Sequence, residues 1–214
     1  MAALRVLLAY HEDLIRSALR VLLQGFPGIQ VVAEASDGVS AIRMAVKTRP
    51  DVVLMNLQMP HLNGLNAAAE LAKESSGARV LLLAESTDEP VIIRALRVGA
   101  RGYLLKGAQP EELALAIQVV GRGETYLSPA LAKKVLVDYP GRGEPRGDAD
   151  RLSLRQREIV QLIAEGYTSK EIARLLTLSV RTVDRHRAIL MGRLDLHSVA
   201  NLVRWALRSG LAAS

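Results

Sequence analysis

From residue 5 onward the chain alternates short, unbroken apolar runs with longer stretches whose apolar residues recur every three or four positions. Residues 5–9 (Arg-Val-Leu-Leu-Ala) read as a buried strand, and 13–23 place Leu14, Ala18, Leu19, Leu22 and Leu23 on one side of a helix. Further strands are predicted at 30–35, 51–56, 79–84 and 102–105, separated by helical patterns at 39–47, 64–73, 89–98 and 110–120. Five strands in strict alternation with five helices predict an α/β domain, a doubly wound, five-stranded parallel sheet with helices on both faces. Such sheets bind ligands beyond the carboxyl ends of their strands. The residues expected there are Tyr10, His11 and Glu12 after the first strand, Asn56 at the third, Ala84 and Glu85 at the fourth, and Lys106 after the fifth.

The pattern changes after residue 127. Leu131, Val135 and Leu136 suggest one more helix between 128 and 138, and residues 139–150 hold three Gly and two Pro with no apolar stripe, the mark of a flexible linker. The expected organisation is therefore an α/β domain over 1–127, a linker helix and flexible linker over 128–150, and an all-helical domain over 151–214. In the last of these, Leu154, Ile159, Val160, Leu162 and Ile163 pack a supporting helix that Gly166 ends. Two helices then meet at a tight turn, Thr177-Leu178-Ser179, with apolar stripes Ile172, Ala173, Leu175, Leu176 before it and Val180, Val183, Ile189, Leu190 after it. Thr168 and Glu171 form a capping-box pattern, and Ser179 opens a helix carrying Arg181, Arg185 and Arg187. A short helix, a tight turn and an Arg-rich second helix are what it takes to lay a helix in a DNA major groove. A last helix over 198–208 carries Val199, Leu202, Val203, Ala206 and Leu207 on one side, with Trp205 as either a core residue or a dimer anchor.

Charge sharpens this division. Residues 1–138 carry 15 Lys/Arg against 14 Asp/Glu, whereas 151–214 carry 11 against 5, so the basic excess sits with the helix-turn-helix and favours a polyanionic partner. No apolar run reaches the roughly 18–20 residues of a membrane span, and the N-terminus lacks the layout of a signal peptide, which together predict a cytoplasmic protein without a membrane partner. The chain has no cysteine, which excludes disulfides and thiolate chemistry, and its four His show no metal-ligand spacing. Neither a metal, a cofactor nor an enzymatic activity is expected.

Several runs carry a family resemblance. Leu-Ser-Leu-Arg-Gln-Arg-Glu-Ile-Val-Gln-Leu-Ile-Ala-Glu-Gly, Ser-Lys-Glu-Ile-Ala, Leu-Ser-Val-Arg-Thr-Val-Asp-Arg-His-Arg and Leu-His-Ser-Val-Ala-Asn-Leu-Val-Arg, within 152–211, resemble the LuxR-type four-helix DNA-binding domain. Val-Val-Ala-Glu-Ala-Ser-Asp-Gly, Pro-Asp-Val-Val-Leu-Met-Asn-Leu-Gln-Met-Pro and Gly-Ala-Arg-Gly-Tyr-Leu-Leu-Lys are similar to the flavodoxin-like receiver domain of NarL/FixJ-class response regulators. The resemblance implies a transcription regulator that pairs as a homodimer on a palindromic operator. It implies base reading by Asp184, Arg185 and Ala188, whereas Lys170, Arg181, Thr182, His186 and Arg187 better suit phosphate contacts, which position without specifying. Glu158 is either an exposed helix charge or, as the family implies, a buried partner for a basic residue.

The departures from the family are concentrated in one place. An acidic pair that binds Mg²⁺ is matched by Tyr10 and His11, the phosphoacceptor aspartate by Asn56, and the fourth-strand Ser/Thr by Ala84, while the fifth-strand aromatic and lysine match Tyr103 and Lys106. A degenerate pocket of this kind is expected to be silent toward phosphodonors, with Lys106 hydrogen-bonded to Asn56 or a nearby carbonyl, and with an unknown ligand or protein partner as the signal. The competing expectations are a phosphorylated regulator in which Glu12 or Asp13 swings in to hold a metal, and an interaction scaffold with weak DNA affinity.

Overall fold

The computed structural model describes residues 3–74, 77–132, 152–209 and 211. The chain divides into two compact units, Met1–Gly141 and Arg142–Ser214. In the first, strands β1 (Leu4–Ala9), β2 (Ile29–Ala35), β3 (Val52–Asn56), β4 (Arg79–Ala84) and β5 (Gly102–Leu105) alternate with helices α1 (Asp13–Gln24), α2 (Gly38–Thr48), α3 (Gly64–Leu71), α4 (Glu89–Arg97) and α5 (Pro110–Gly121). The predicted elements are all present, their ends shifted by no more than two residues, as fraying and capping allow.

The sheet has six strands rather than the expected five. Tyr126–Leu127 forms β6 and pairs in parallel with β5, Gly102 opposite Tyr126 and Tyr103 opposite Leu127. A two-residue strand is too short to show any periodicity, so only its pairing reveals it. The order is β2-β1-β3-β4-β5-β6 with all pairs parallel. Nearly continuous Val/Leu runs suit strands covered on both faces. On one face Val6, Leu8, Leu54, Leu81 and Leu104 pack against Leu23 of α1 and Ile117 and Val120 of α5. On the other, Leu7, Val53, Met55 and Leu82 are equally buried.

Helix ends follow local chemistry. Asp37 caps α2 by accepting from the Ser40 amide, and the Ser40 side chain returns the bond, a capping box that leaves Gly38 at the first helical position. A Cβ on Gly38 would sit 2.1 Å from the Leu62 carbonyl oxygen, so only glycine allows the loop before α3 this close. The stripe expected on α1 is only partly buried: Leu23 is enclosed, whereas Leu14 is 83% exposed. Periodicity locates a helix face but not its angular setting against the sheet.

The second unit comprises α6 (Leu154–Ala164), α7 (Ser169–Leu175), α8 (Val180–Arg193) and α9 (Val199–Arg208). Ser153 and Thr168 form capping boxes with Gln156 and Glu171, Ser179 and Ser198 cap α8 and α9, and Gly166 ends α6 at a φ of 90°. Its core joins Ile159, Leu162, Ile172, Val183, Leu190, Leu202 and Ala206, with Trp205 packed partly buried against it. Leu175, Val180 and Ile189, expected on the apolar stripes, are exposed instead. Four short helices enclose one small core, and α7, α8 and α9 each reach it with only two buried residues. Of the helix expected over 128–138, residues 129–132 are helical; Val135, Leu136 and the linker lie outside the described residues.

Candidate functional site

The strand ends bring most of the expected crevice together. Asn56 is fully buried at the end of β3, and its amide closes on its own loop: Nδ2 donates to the Gln58 carbonyl at 2.6 Å, and Oδ1 accepts from the Gln58 amide at 3.3 Å. The remaining Nδ2 hydrogen points to His11 Nδ1 at 3.3 Å, which requires that nitrogen to be the unprotonated acceptor. The His11 ring stacks on the buried Tyr10, centroids 5.9 Å apart and planes within 3°. Glu12 faces His11 Nε2 at 3.8 Å and Asp13 pairs with Arg16, so neither carboxylate is turned onto Asn56.

Lys106 does not bond Asn56 or a carbonyl, as the sequence suggested. Its ammonium lies 2.9 Å from Glu85 Oε1 and 5.3 Å from the centroid of the Tyr10 ring. A carboxylate outcompetes a neutral amide for an ammonium, and the aromatic face adds a cation–π attraction. Burial opposes the charge on Lys106, but Tyr10 and Glu85 outweigh it and raise its pKa. Ala84 is buried beside this pair, and the Lys106 amide donates to its carbonyl.

Tyr103 is enclosed beneath the same loops, its hydroxyl donating to the Ser86 carbonyl at 2.9 Å. Burial, with Asp88 adding to it, pushes its pKa from 10.0 to about 12. A group whose pKa is raised on folding stabilises fully below its unfolded value and loses that contribution as pH climbs through the folded one. Between pH 10 and 12 the native state should therefore lose about 1–2 kcal/mol through Tyr103. Tyr103→Phe should start about 1 kcal/mol less stable, having lost a hydrogen bond. Its deficit should then shrink over that pH range in denaturant unfolding. Tyr126, also raised to about 12 by burial and by Glu112, titrates in both proteins and cancels from the difference. A deficit that stays constant would mean that Tyr103 ionises without resistance.

In the second unit, α7 and α8 meet across Thr177, whose φ of 53° makes the turn. Arg181, Arg185 and Ala188 lie on one exposed side of α8, and Lys170 is exposed on α7. Thr182 is half-buried, its amide bound by the Ser179 cap at 3.0 Å. His186 is turned inward far enough that Nδ1 is buried. Asp184 and Arg187 are tied down by a residue the sequence reading overlooked: Ser169 Oγ donates to Asp184 Oδ1 at 2.8 Å and accepts from Arg187 Nη1 at 3.2 Å, while Arg187 Nη2 pairs with Asp184 at 3.2 Å. This triad pins α7 to α8. Only its fifteen-residue separation from Asp184 hid Ser169, a hydroxyl at the first position of α7. Glu158 is buried and accepts from Arg155 at 2.9 Å, the second of the two expected settings.

A six-stranded parallel sheet with its crevice at the strand ends, joined to a capped helix-turn-helix, defines a class of DNA-binding switch. Residues 6–118 match the response regulator receiver domain, and residues 150–206 match the bacterial regulatory proteins of the luxR family. The chain belongs to the response regulators that combine these two domains, DNA-binding transcription regulators rather than enzymes. It is similar to the transcriptional regulatory protein LiaR of Bacillus subtilis, 35% identical over 208 residues covering 97% of this chain and 99% of LiaR. It is 36% identical over 214 residues to the oxygen regulatory protein NreC of Staphylococcus aureus, covering 97% of this chain and 99% of that one. Among solved structures, the response regulator ChrA of a heme-sensing two-component system aligns with a TM-score of 0.54 and 31% identity, over 99% of this chain and all of ChrA.

Proposed function

We propose that this regulator controls transcription in the cytoplasm without passing through an aspartyl phosphate. On this reading residues 1–127 form a receiver with a degenerate pocket, 128–150 a linker helix and flexible linker, and 151–214 the DNA-binding domain. The observation that carries the reading is the Asn56 amide, closed onto Gln58 and His11 where the family places its phosphoacceptor. An amide nitrogen delocalised into its carbonyl is no substitute for a carboxylate nucleophile. Nor do the neighbours fit Mg²⁺, a hard cation that takes carboxylate oxygens: Tyr10, His11 and Asn56 offer a phenol, an imidazole and an amide, with no formal negative charge. Phosphoryl transfer depends on such a cation to neutralise developing charge.

The buried Tyr103 supports the same reading. In the family this aromatic follows the phosphate through the fourth-strand hydroxyl, yet here that position is Ala84 and Tyr103 is held inward by Ser86. A phosphate with no differential contact between two states shifts neither. The receiver then pairs two copies constitutively, and the signal is a ligand or protein partner rather than a phosphodonor.

On a palindromic operator, Arg185 pairs bidentately with a guanine and Ala188 packs beside the bases, while Lys170, Arg181, Thr182 and His186 meet phosphates. Asp184 and Arg187 act chiefly through Ser169, holding α8 at its angle. Mapping the sites occupied by the full chain without any stimulus, and measuring affinity on them, tests this. Arg185→Ala should lose about 1–3 kcal/mol on the preferred site and narrow the gap to random DNA, whereas Lys170→Ala should weaken both alike. Equal losses from Arg185→Ala on both would remove it from base reading, and no occupancy without phosphodonor would sink the phosphate-free reading.

A further inference from the structure

Between α1, α5 and the carboxyl ends of β4 and β5 lies a cavity of about 400 Å³. Ile15, Leu19 and Leu22 of α1 form one wall, Leu83, Leu104 and Leu113 the other, and Glu12, Glu85 and Lys106 stand at the rim. An apolar chamber of this size with a few convergent polar groups is the usual build of a small-molecule site.

The rim chemistry selects the ligand. The Lys106 side chain is only 21% exposed, whereas that of its partner Glu85 is 70% exposed. Water screens so exposed a carboxylate, and it holds an ammonium weakly, so an incoming anion exchanges with it at little cost. Glu12 lines the same cavity, and a second carboxylate there disfavours a dianion and leaves a single negative charge as the best match. We propose that this cavity binds a small monocarboxylate with an apolar body, aliphatic or aryl. The carboxylate replaces Glu85 on Lys106, and the hydrocarbon lies against Leu19, Leu22 and Leu113. The proposal rests on the phosphate-free reading above, because an acyl phosphate on the third strand would claim Lys106 for itself. A bound acid would bridge α1, α5 and the end of β5, and so is placed to serve as the missing signal.

Calorimetric titration of the full chain with 4-phenylbutyrate and octanoate, and with 4-phenylbutanol and octanol as uncharged counterparts, tests it. Both acids should bind saturably, at least about tenfold more tightly than their alcohols, since a hydrogen bond to a charged group separates them. Lys106→Met should abolish that preference and leave the alcohols unchanged. Glu85→Gln, an exposed change that keeps the fold, should tighten the acids by freeing Lys106. No saturable binding of either acid, or acid binding undiminished in Lys106→Met, overturns the site. Intact mass after acetyl phosphate, taken on the same preparation, reports separately on the phosphate-free reading: a phosphoryl gain overturns that reading while the titration still decides whether the cavity takes a carboxylate.

Discussion

Incubated with Mg²⁺ and acetyl phosphate, the full chain and its Asn56→Asp variant should both keep their original mass. The single substitution restores a nucleophile but not the cation, since Tyr10 and His11 still offer no carboxylate, and charge developing on the phosphoryl oxygens is left without its counter-ion. The triple variant Tyr10→Asp/His11→Asp/Asn56→Asp supplies three carboxylates at the ends of β1 and β3 and should gain the mass of one phosphoryl group. Lys106 is free to serve it, because its present partner Glu85 is exposed and weakly held. Sedimentation of the unmodified chain should show a dimer with or without the phosphodonor. A phosphoryl gain on the unmodified chain, or association that depends on acetyl phosphate, would overturn the silent pocket, and a monomer at high micromolar concentration in both conditions would sink constitutive pairing.

Replacing Gly64 with Ala should cost the first unit about 3 kcal/mol, near the upper end for overpacking a close-packed interior. The added Cβ would stand 2.5 Å from the Asn56 carbonyl oxygen and 3.0 Å from Leu57 Cα. Both are backbone atoms, and the loop is held there by the Gly64 amide donating to the Leu57 carbonyl at 2.8 Å, so no side chain can swing aside. Gly192→Ala in α8 is the matched control. A Cβ there meets nothing within 4 Å, so the variant should instead stabilise the second unit by about 0.5–1 kcal/mol through helix propensity. Denaturant unfolding followed separately for the two units reads both effects. A Gly64→Ala loss below about 1 kcal/mol would show that the β3–α3 loop relaxes more readily than its backbone contacts allow.

The alternation of strands and helices, the parallel sheet, the helix-turn-helix and its caps were legible in the chain because each is written over a few neighbouring residues. Continuous apolar runs such as 52–55 announce a strand covered on both faces, and Thr168 with Glu171 announces a helix start, whatever the rest of the molecule does. The residues gathered at the strand ends followed from the same logic, since parallel strands all end on one edge of the sheet. The motif matches, too, are properties of sequence order alone.

Tertiary structure decided what depends on partners far apart in the chain. The two-residue β6 exists only because β5 is there to receive it. Lys106 pairs with Glu85, twenty-one residues away, rather than with Asn56, because folding sets an ammonium beside a carboxylate while Asn56 is already satisfied by its own loop. Ser169 ties Asp184 and Arg187 together at the joint between α7 and α8, across fifteen and eighteen residues of chain. Leu14, Val180 and Ile189 face solvent although their spacing marks them as apolar-stripe residues. Helical period fixes which residues share a face, but the angle at which that face meets its neighbours is set by close packing across the whole core, a long-range quantity that no local window of sequence contains.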